Sequence, residues 1–290
     1  AACAGFLAAL SGEAPPLSRI QSVEQNEIPA TGEQGFAIHT SEGGEKSALV
    51  SPDIGICEDC LRELFTQSDR RYRYPFINCT NCGPRFSIIE DIPYDRKFTS
   101  MRGFRQCAPC QSEYENPLDR RFHAQPNACA VCGPRLSFLV DGVEVAGDPV
   151  ALFAEAIRGG KVVAVKGIGG FHLACSAANE SAVQLLRARK QRYEKPFAVM
   201  LRNLDEVNRY CEVSAAEIAL LTSPQKPIVL LEKRKNAVLA PSVAPENHRL
   251  GVMLPYTPLH YLLLEETPAL VLTSGNVSDR PMLYRDEDVP

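Results

Sequence analysis

Eight cysteines between Cys57 and Cys132 constrain this chain more than any other feature. They form four CxxC pairs: Cys57/Cys60, Cys79/Cys82, Cys107/Cys110 and Cys129/Cys132. Within each half, 18 residues separate the two pairs, and the halves repeat at an offset of 50 residues. Asp69-Arg70-Arg71 returns as Asp119-Arg120-Arg121, Glu63 as Glu113, and Cys82-Gly83-Pro84-Arg85 as Cys132-Gly133-Pro134-Arg135. One structural unit used twice is the physical reading of such a repeat. Two residues between cysteines let one tight turn present two sulfurs to one ion, and zinc takes four thiolates in a tetrahedron. The expectation is two closed, structural zinc sites, since a catalytic zinc keeps an open position. The local grouping assigns Cys57, Cys60, Cys79 and Cys82 to one ion and Cys107, Cys110, Cys129 and Cys132 to the other. Spacing alone also permits a grouping crossed between the halves. Gly83 and Gly133 stand where each knuckle calls for positive φ. His123, the one histidine between the pairs, reads as a structural or surface residue once every cysteine is paired.

Disulfides and redox CxxC pairs are the competing readings. Regular spacing and the lack of a secretory signal argue against both. The 11 cysteines therefore point to a reducing, cytoplasmic setting, with Cys3, Cys175 and Cys211 left over as small buried apolar residues. The apolar start, Ala1 to Leu10, lacks a basic region before it and is too short to cross a bilayer. No other run is long enough to do so. A net charge of −4 gives no general attraction to nucleic acid or membrane. The first residue is not methionine, so the chain reads as a piece of a longer protein.

Three segments follow from the pattern. Residues 1–46 resemble the end of a domain: Phe6, Leu7 and Leu10 suit a helix closed by Gly12. Ile20 and Val23 alternate weakly, Gly35–Ile38 suits an edge strand, and residues 41–46 suit a linker. Residues 47–140 form the zinc module. Its aliphatics are few, so metal must supply most of its folding free energy, on the order of 10 kcal/mol per site. Ile88 to Phe104 is placed to pack the halves together. Arg70, Arg71, Arg73, Arg120 and Arg121 raise a nucleic-acid reading, against which the DRR arginines pair more simply with their own carboxylates.

Residues 141–290 alternate helix and strand, as in an α/β domain with a mixed or parallel sheet. Asp148-Pro149 opens a helix that Gly159-Gly160 ends. Lys161–Val165, Phe197–Met200, Ile228–Leu231 and Leu270–Leu272 read as strands. Asn203 and Ser214, each with a glutamate three residues on, read as capping boxes. Pro224 ends the helix that Ser214 opens, and Thr257-Pro258 opens another through Leu264.

Three polar groups in this domain stand near strand ends, where α/β sheets bind ligands. They are Lys166-Gly167-Ile168-Gly169-Gly170-Phe171-His172; the run Arg187, Arg189, Lys190, Arg192 and Lys195; and Thr273-Ser274-Gly275-Asn276. Glycines admit a phosphate to backbone N–H groups, cations neutralise it, and Ser274 and Asn276 offer neutral hydrogen bonds. Singly each is ordinary: a tight turn, a solvated helix face, a turn residue. The first is neither GxGxxG nor a Walker loop. Together they read as a nucleoside triphosphate site.

With these residues in view, the chain resembles the hydrogenase maturation carbamoyltransferase family, HypF. The cysteine spacing with RRYRYPFINCTNCGPRFS and RRFHAQPNACAVCGPR carries the resemblance. The last domain looks like the YrdC domain shared with threonylcarbamoyl-AMP synthases, and residues 1–40 resemble the tail of a ferredoxin-like acylphosphatase domain. The resemblance implies a multidomain α+β protein. In the family, carbamoyl phosphate is hydrolysed to carbamate, and Mg-ATP adenylates the carbamate with release of pyrophosphate. The carbamoyl group then passes to the C-terminal cysteine of HypE, on the way to the cyanide ligands of [NiFe] hydrogenases. Carried over residue by residue, the resemblance puts charge stabilisation on Lys190, Arg192 and Lys195. Ser274 and Asn276 orient ATP or the acyl-adenylate, and Gly169 belongs to the glycine turn of the nucleotide site; by position, Lys166 and His172 are placed to contact carbamate. The glycine turn replaces the threonine-rich turn of stand-alone YrdC proteins, which argues against a threonine substrate. A segment beyond each end would supply acyl-phosphate hydrolysis and the final transfer. The rival readings are weak RNA binding by the YrdC-like domain and a scaffold that docks partners without turnover.

Overall fold

The computed structural model describes residues 2–14, 18, 20–29, 32, 50–276 and 280–288. Helix α1 (Ala2–Gly12) forms where the N-terminal apolar residues expect it. Residues 20–29 form no strand, and Ile20 and Val23 are exposed, so their alternation has no sheet to bury against. The expected strand at Gly35–Ile38, the linker at 41–46 and the side chain of Cys3 lie outside the described residues.

The zinc module is built twice, and the copies interlock. Helix α2 (Glu58–Phe65) starts at Cys57, and α3 (Ala108–Glu115) starts at Cys107. After each helix, an aspartate accepts a backbone N–H two residues on, Asp69 from Arg71 at 2.7 Å and Asp119 from Arg121 at 2.8 Å. These aspartates shape turns, while the arginine side chains cross to the other half. Arg70 and Arg71 pair with Glu113, and Arg120 and Arg121 pair with Glu63. Arg71 Nε donates to the Ala128 carbonyl at 2.9 Å, and Arg121 Nε to the Asn78 carbonyl at 3.1 Å, positions related by the same repeat. The expectation that these arginines pair with their own carboxylates is therefore corrected. Docking the halves buries Arg71 and Arg121 almost completely, and a buried guanidinium needs a full set of acceptors. Arg73 pairs instead with Glu265 of the following domain at 2.6 Å.

The stretch between the halves touches both, as its position suggested. Tyr94 donates to the Pro84 carbonyl at 3.2 Å, and Arg96 donates to the Asn127 carbonyl at 3.0 Å. His123 is exposed, adopts φ +51° and stacks on Tyr114 at 5.0 Å.

A hairpin of β1 (Leu139–Val140) and β2 (Val143–Glu144) leads to α4 (Pro149–Arg158), which Asp148 caps as expected. The sheet then uses β3 (Val163–Gly167), β4 (Gly170–Ser176), β5 (Ala198–Leu201), β6 (Cys211–Glu212), β7 (Val229–Lys233), β8 (Arg249–Met253) and β9 (Ala269–Ser274). Helices α5 (Glu180–Lys190), α6 (Leu204–Tyr210), α7 (Ala215–Thr222) and α8 (Pro258–Leu263) connect them. The strand order is β3-β4-β9-β5-β8-β7-β6, with β5 and β8 as its parallel pair and antiparallel neighbours elsewhere. The sheet is thus mixed. Strands β4, β6 and β8 lay outside the sequence pattern. Ser214 forms a full capping box with Glu217. Asn203 caps α6, but the Glu206 side chain turns to Arg202 and Arg209 instead of back to the cap.

One sheet face is covered by α5, α6 and α7, through residues such as Val183, Leu186, Val207 and Leu221, and Cys175 and Cys211 are buried in that layer. The other face is covered by α4, α8 and the zinc module in one continuous core. That core joins Leu64, Tyr74, Ile77 and Met101 of the module to Phe153, Ile157, Leu259, Leu262 and Leu272. Metal is therefore not the module's sole support: apolar packing against the sheet also holds it.

Candidate functional site

The cysteine clusters follow the local grouping. In each, four sulfurs lie within 4.8 Å of one another: Cys57, Cys60, Cys79 and Cys82, then Cys107, Cys110, Cys129 and Cys132. Neighbouring sulfurs stand 3.7 Å apart between Cys57 and Cys79 and 3.8 Å apart between Cys79 and Cys82. In the second cluster the Cys107–Cys129 and Cys110–Cys132 separations are 3.7 and 3.6 Å. A tetrahedron of bonds about 2.3 Å long has edges of about 3.8 Å, so both clusters suit zinc. Guanidinium groups approach the sulfurs from the opposite half: Arg120 donates to Cys60 at 3.1 Å, and Arg70 to Cys110 at 3.0 Å. These bonds offset the negative charge of a four-thiolate site.

The glycines after the knuckles differ. Gly83 has φ +93°, as expected. Gly133 is not among the residues with positive φ, which corrects the expectation for the second knuckle. It is required for room: a Cβ there would stand 2.1 Å from the Tyr74 hydroxyl and 2.6 Å from Ala128 Cβ.

The nucleotide-site candidates converge at the carboxyl end of β9. Strand β9 places Ser274 opposite His172 of β4. Helix α5 ends at Lys190, whose ammonium donates to the carbonyls of Ser274 at 2.5 Å and Asn276 at 3.0 Å, and to Asn276 Oδ1 at 3.0 Å. Ser274 Oγ donates to the same Asn276 oxygen at 2.7 Å. Burial, and then the charge of Arg192, lower the Lys190 pKa. Arg192 stacks on Phe197 with its carbon 4.7 Å from the ring centre and reaches Thr273 Oγ1 at 3.4 Å. Arg187, buried beneath the loop, donates to the carbonyls of Arg192 and Tyr193 at 2.7 and 3.0 Å. It shapes the cationic loop from inside.

Arg192, Thr273, Ser274 and His172 open onto a cleft of about 570 Å³. Ile168, Met253 and Leu272 give it an apolar floor, and Asp53, Ile54 and Gly55 of the zinc module close one side. Behind His172 lies the buried His260, with 6.4 Å between ring centres. Lys166 and Gly169 line a second, broader groove instead, and the Lys166 ammonium meets Asp286 at 2.5 Å. Lys195 is exposed and lines neither space; its carbonyl accepts from Arg192 at 3.1 Å. Sequence reasoning did not find the contributions of Asp53, Lys226 and Tyr256. None belongs to a recognisable pattern, and only the fold brings them to the cleft.

With this geometry in hand, comparison with known proteins becomes specific. The family model described as HypF finger matches residues 56–89 and 107–139. The Sua5/YciO/YrdC model, described as telomere recombination, matches residues 155–290. A curated carbamoyltransferase HypF from Rhodobacter capsulatus is 48% identical over 289 residues, which are 98% of this chain. A full-length HypF crystal structure, in its phosphate- and nucleotide-bound form, superposes with a TM-score of 0.93 at 52% identity over 98% of this chain. The chain belongs to the HypF family. A HypF structure from T. kodakarensis gives a TM-score of 0.90 at 47% identity. The chain spans 38% of the R. capsulatus HypF and 37% of the T. kodakarensis chain. Among the described residues, no helix is long and apolar enough to cross a membrane.

Proposed function

We propose that this chain carries the carbamate-activating step of a [NiFe] hydrogenase maturation carbamoyltransferase. A carbamate oxygen attacks the α-phosphorus of Mg-ATP, the bond to the β-phosphate oxygen breaks, and pyrophosphate leaves as carbamoyl-adenylate forms. The observation that carries this reading is the convergence of Arg192, Thr273, Ser274 and His172 on one cleft, braced by Lys190 and Asn276. The phosphate- and nucleotide-bound state of a related HypF supports a nucleotide as its occupant. Adenylyl transfer asks little covalent work of a protein; it asks for positioning and for positive charge where the phosphates gather. Arg192 supplies that charge at the cleft. Lys190 fixes the Ser274–Asn276 turn, and Thr273 and Ser274 offer hydroxyls to the nucleotide. Carbamate binds toward His172. The zinc ions hold the fold and take no part in the chemistry. In the whole protein, the carbamate derives from carbamoyl phosphate, and the activated group passes to the C-terminal cysteine of HypE.

The test is carbamate-dependent exchange of labelled pyrophosphate into ATP, with carbamate generated from ammonia and bicarbonate. Exchange that requires carbamate and disappears in Lys190→Ala and Ser274→Ala is the expected result. If ATP fails to bind the folded, zinc-loaded chain, the proposal falls.

A further inference from the structure

The cleft has a second cation besides Arg192. Lys226, in the loop between α7 and β7, lines it together with Pro224 and Gln225. Its ammonium makes no hydrogen bond or ion pair among the described residues. Its backbone is left-handed, with φ +46°, held by the N–H of Lys226 donating to the Ser223 carbonyl at 3.0 Å. Glycine would take that conformation without strain, whereas a lysine there is strained and brings a long charged side chain to the cleft.

The zinc module fixes that loop. Gly55 N–H donates to the Pro224 carbonyl at 3.3 Å, and Ile56 N–H to the Tyr256 carbonyl at 3.0 Å. A Cβ on Gly55 would stand 3.1 Å from the Pro224 carbonyl oxygen and 3.3 Å from Lys226 Cγ, so the module's backbone lies directly against the lysine stem. The same short segment is tied to the first zinc knuckle. Ile54 and Gly83 exchange two backbone hydrogen bonds, at 3.1 and 2.9 Å. Asp53 accepts from the Arg85 N–H at 2.6 Å, and from the Ser87 N–H and hydroxyl at 3.1 and 3.0 Å. Asp53 is the acidic side chain of the cleft, and the knuckle already engages it.

We infer that Lys226 is a further anion-binding residue of the cleft, positioned by the first zinc knuckle to take phosphate oxygens together with Arg192. This rests on the nucleotide reading of the cleft and adds a residue to it. The cleft then closes across two modules, and the zinc module forms one wall of the site. Burial lowers the Lys226 pKa, while the nearby Glu58 carboxylate acts to raise it; a phosphate anion would favour the charged form further.

The experiment is calorimetric titration of the zinc-loaded chain with inorganic pyrophosphate and with Mg-ATP at low salt. It compares Lys226→Ala, Lys226→Arg and Arg192→Ala. Lys226→Ala is expected to weaken both probes about tenfold, as for a lost charge-assisted hydrogen bond. Its melting temperature should stay unchanged, and Lys226→Arg should recover most of the affinity. If Arg192→Ala weakens binding and Lys226→Ala does not, the cleft reading stands and the role of Lys226 is overturned. If both variants bind as the wild type does, or the wild type binds neither probe, the cleft reading falls and the inference falls with it.

Discussion

Arg71 of the first repeat grips Glu113 of the second with both terminal nitrogens, at 3.0 and 2.5 Å, and Arg121 returns the contact to Glu63. Burial would raise the Glu113 carboxyl, but hydrogen bonds and charge from Arg71, with the charge of Arg70, outweigh it and hold the pKa at about 2. Each half therefore supplies the counter-charge for the other. Arg71→Ala leaves Glu113 half-buried without its main partner and should cost about 3 kcal/mol in urea denaturation of the zinc-loaded chain. Adding Glu113→Gln should cost much less than its single-variant effect, because the two share one interaction. Zinc transfer to a competing chelator should accelerate in Arg71→Ala, although no ligand has changed. Additive costs would show that the halves are energetically separate.

Gly83 and Gly133 occupy equivalent positions for different reasons, and this separates their variants. A Cβ at Gly133 collides with the Tyr74 hydroxyl, the movable end of a side chain, whereas at Gly83 it collides with Asn78 Cβ at 2.7 Å under a positive φ. Both alanine variants should lose about 1–3 kcal/mol by thermal unfolding, as overpacked sites do. Tyr74→Phe removes one clashing atom, a hydroxyl that is buried without a hydrogen-bond partner among the described residues. It should restore part of the stability of Gly133→Ala and none of that of Gly83→Ala. Equal rescue of both would contradict the distinction.

The contrast also shows what a sequence encodes locally. The CxxC pairs were legible because two-residue spacing sets where sulfurs point within one turn; which pairs share an ion stayed open between a local and a crossed grouping until the fold brought the sulfurs together. Helix starts at Asp148, Ser214 and Thr257 were legible because a cap is a contact between near neighbours. The crossed arginine pairs were not: Asp69 lies beside Arg70 and Arg71, and only docking of the halves reveals Glu113 as their partner. Strand β8 escaped because Arg249–Met253 carries a glycine at its centre and no alternation. Spacing placed Lys190 near a phosphate site but could not show that its ammonium turns onto the carbonyls of Ser274 and Asn276. Lys226 left no signal, because its place in the cleft depends on a module more than a hundred residues away in sequence.

Lys190 gives a test of that difference. Its ammonium gathers two carbonyls and a side-chain oxygen, so it acts as the clasp of the β9 turn. Lys190→Ala should abolish pyrophosphate exchange and also lower stability by about 1–3 kcal/mol, since those acceptors lose their donor. Lys190→Arg should restore neither, because a planar fork does not match three oxygens converging on one point. A Lys190→Ala chain with unchanged melting temperature and lost exchange would instead place the ammonium on the nucleotide alone.

His260 makes the fold sensitive to acid. It is buried with neither ring nitrogen hydrogen-bonded among the described residues, 4.4 Å from the Tyr256 ring centre. Burial, and then the charge of His172, lower its pKa from 6.5 to about 3. The unfolded chain therefore takes up this proton before the folded chain does. The stability linked to His260 is fully present above pH 6.5 and is lost progressively as the pH falls from there toward 3. Each unit of separation corresponds to about 1.4 kcal/mol. His260→Leu removes the titrating group and keeps an apolar side chain in place, so its stability should fall less steeply over that window. Zinc loss in acid acts on both proteins, and the difference between their urea midpoints isolates the histidine. Parallel pH profiles for the two would mean that His260 is protonated in the folded chain as readily as in the unfolded one.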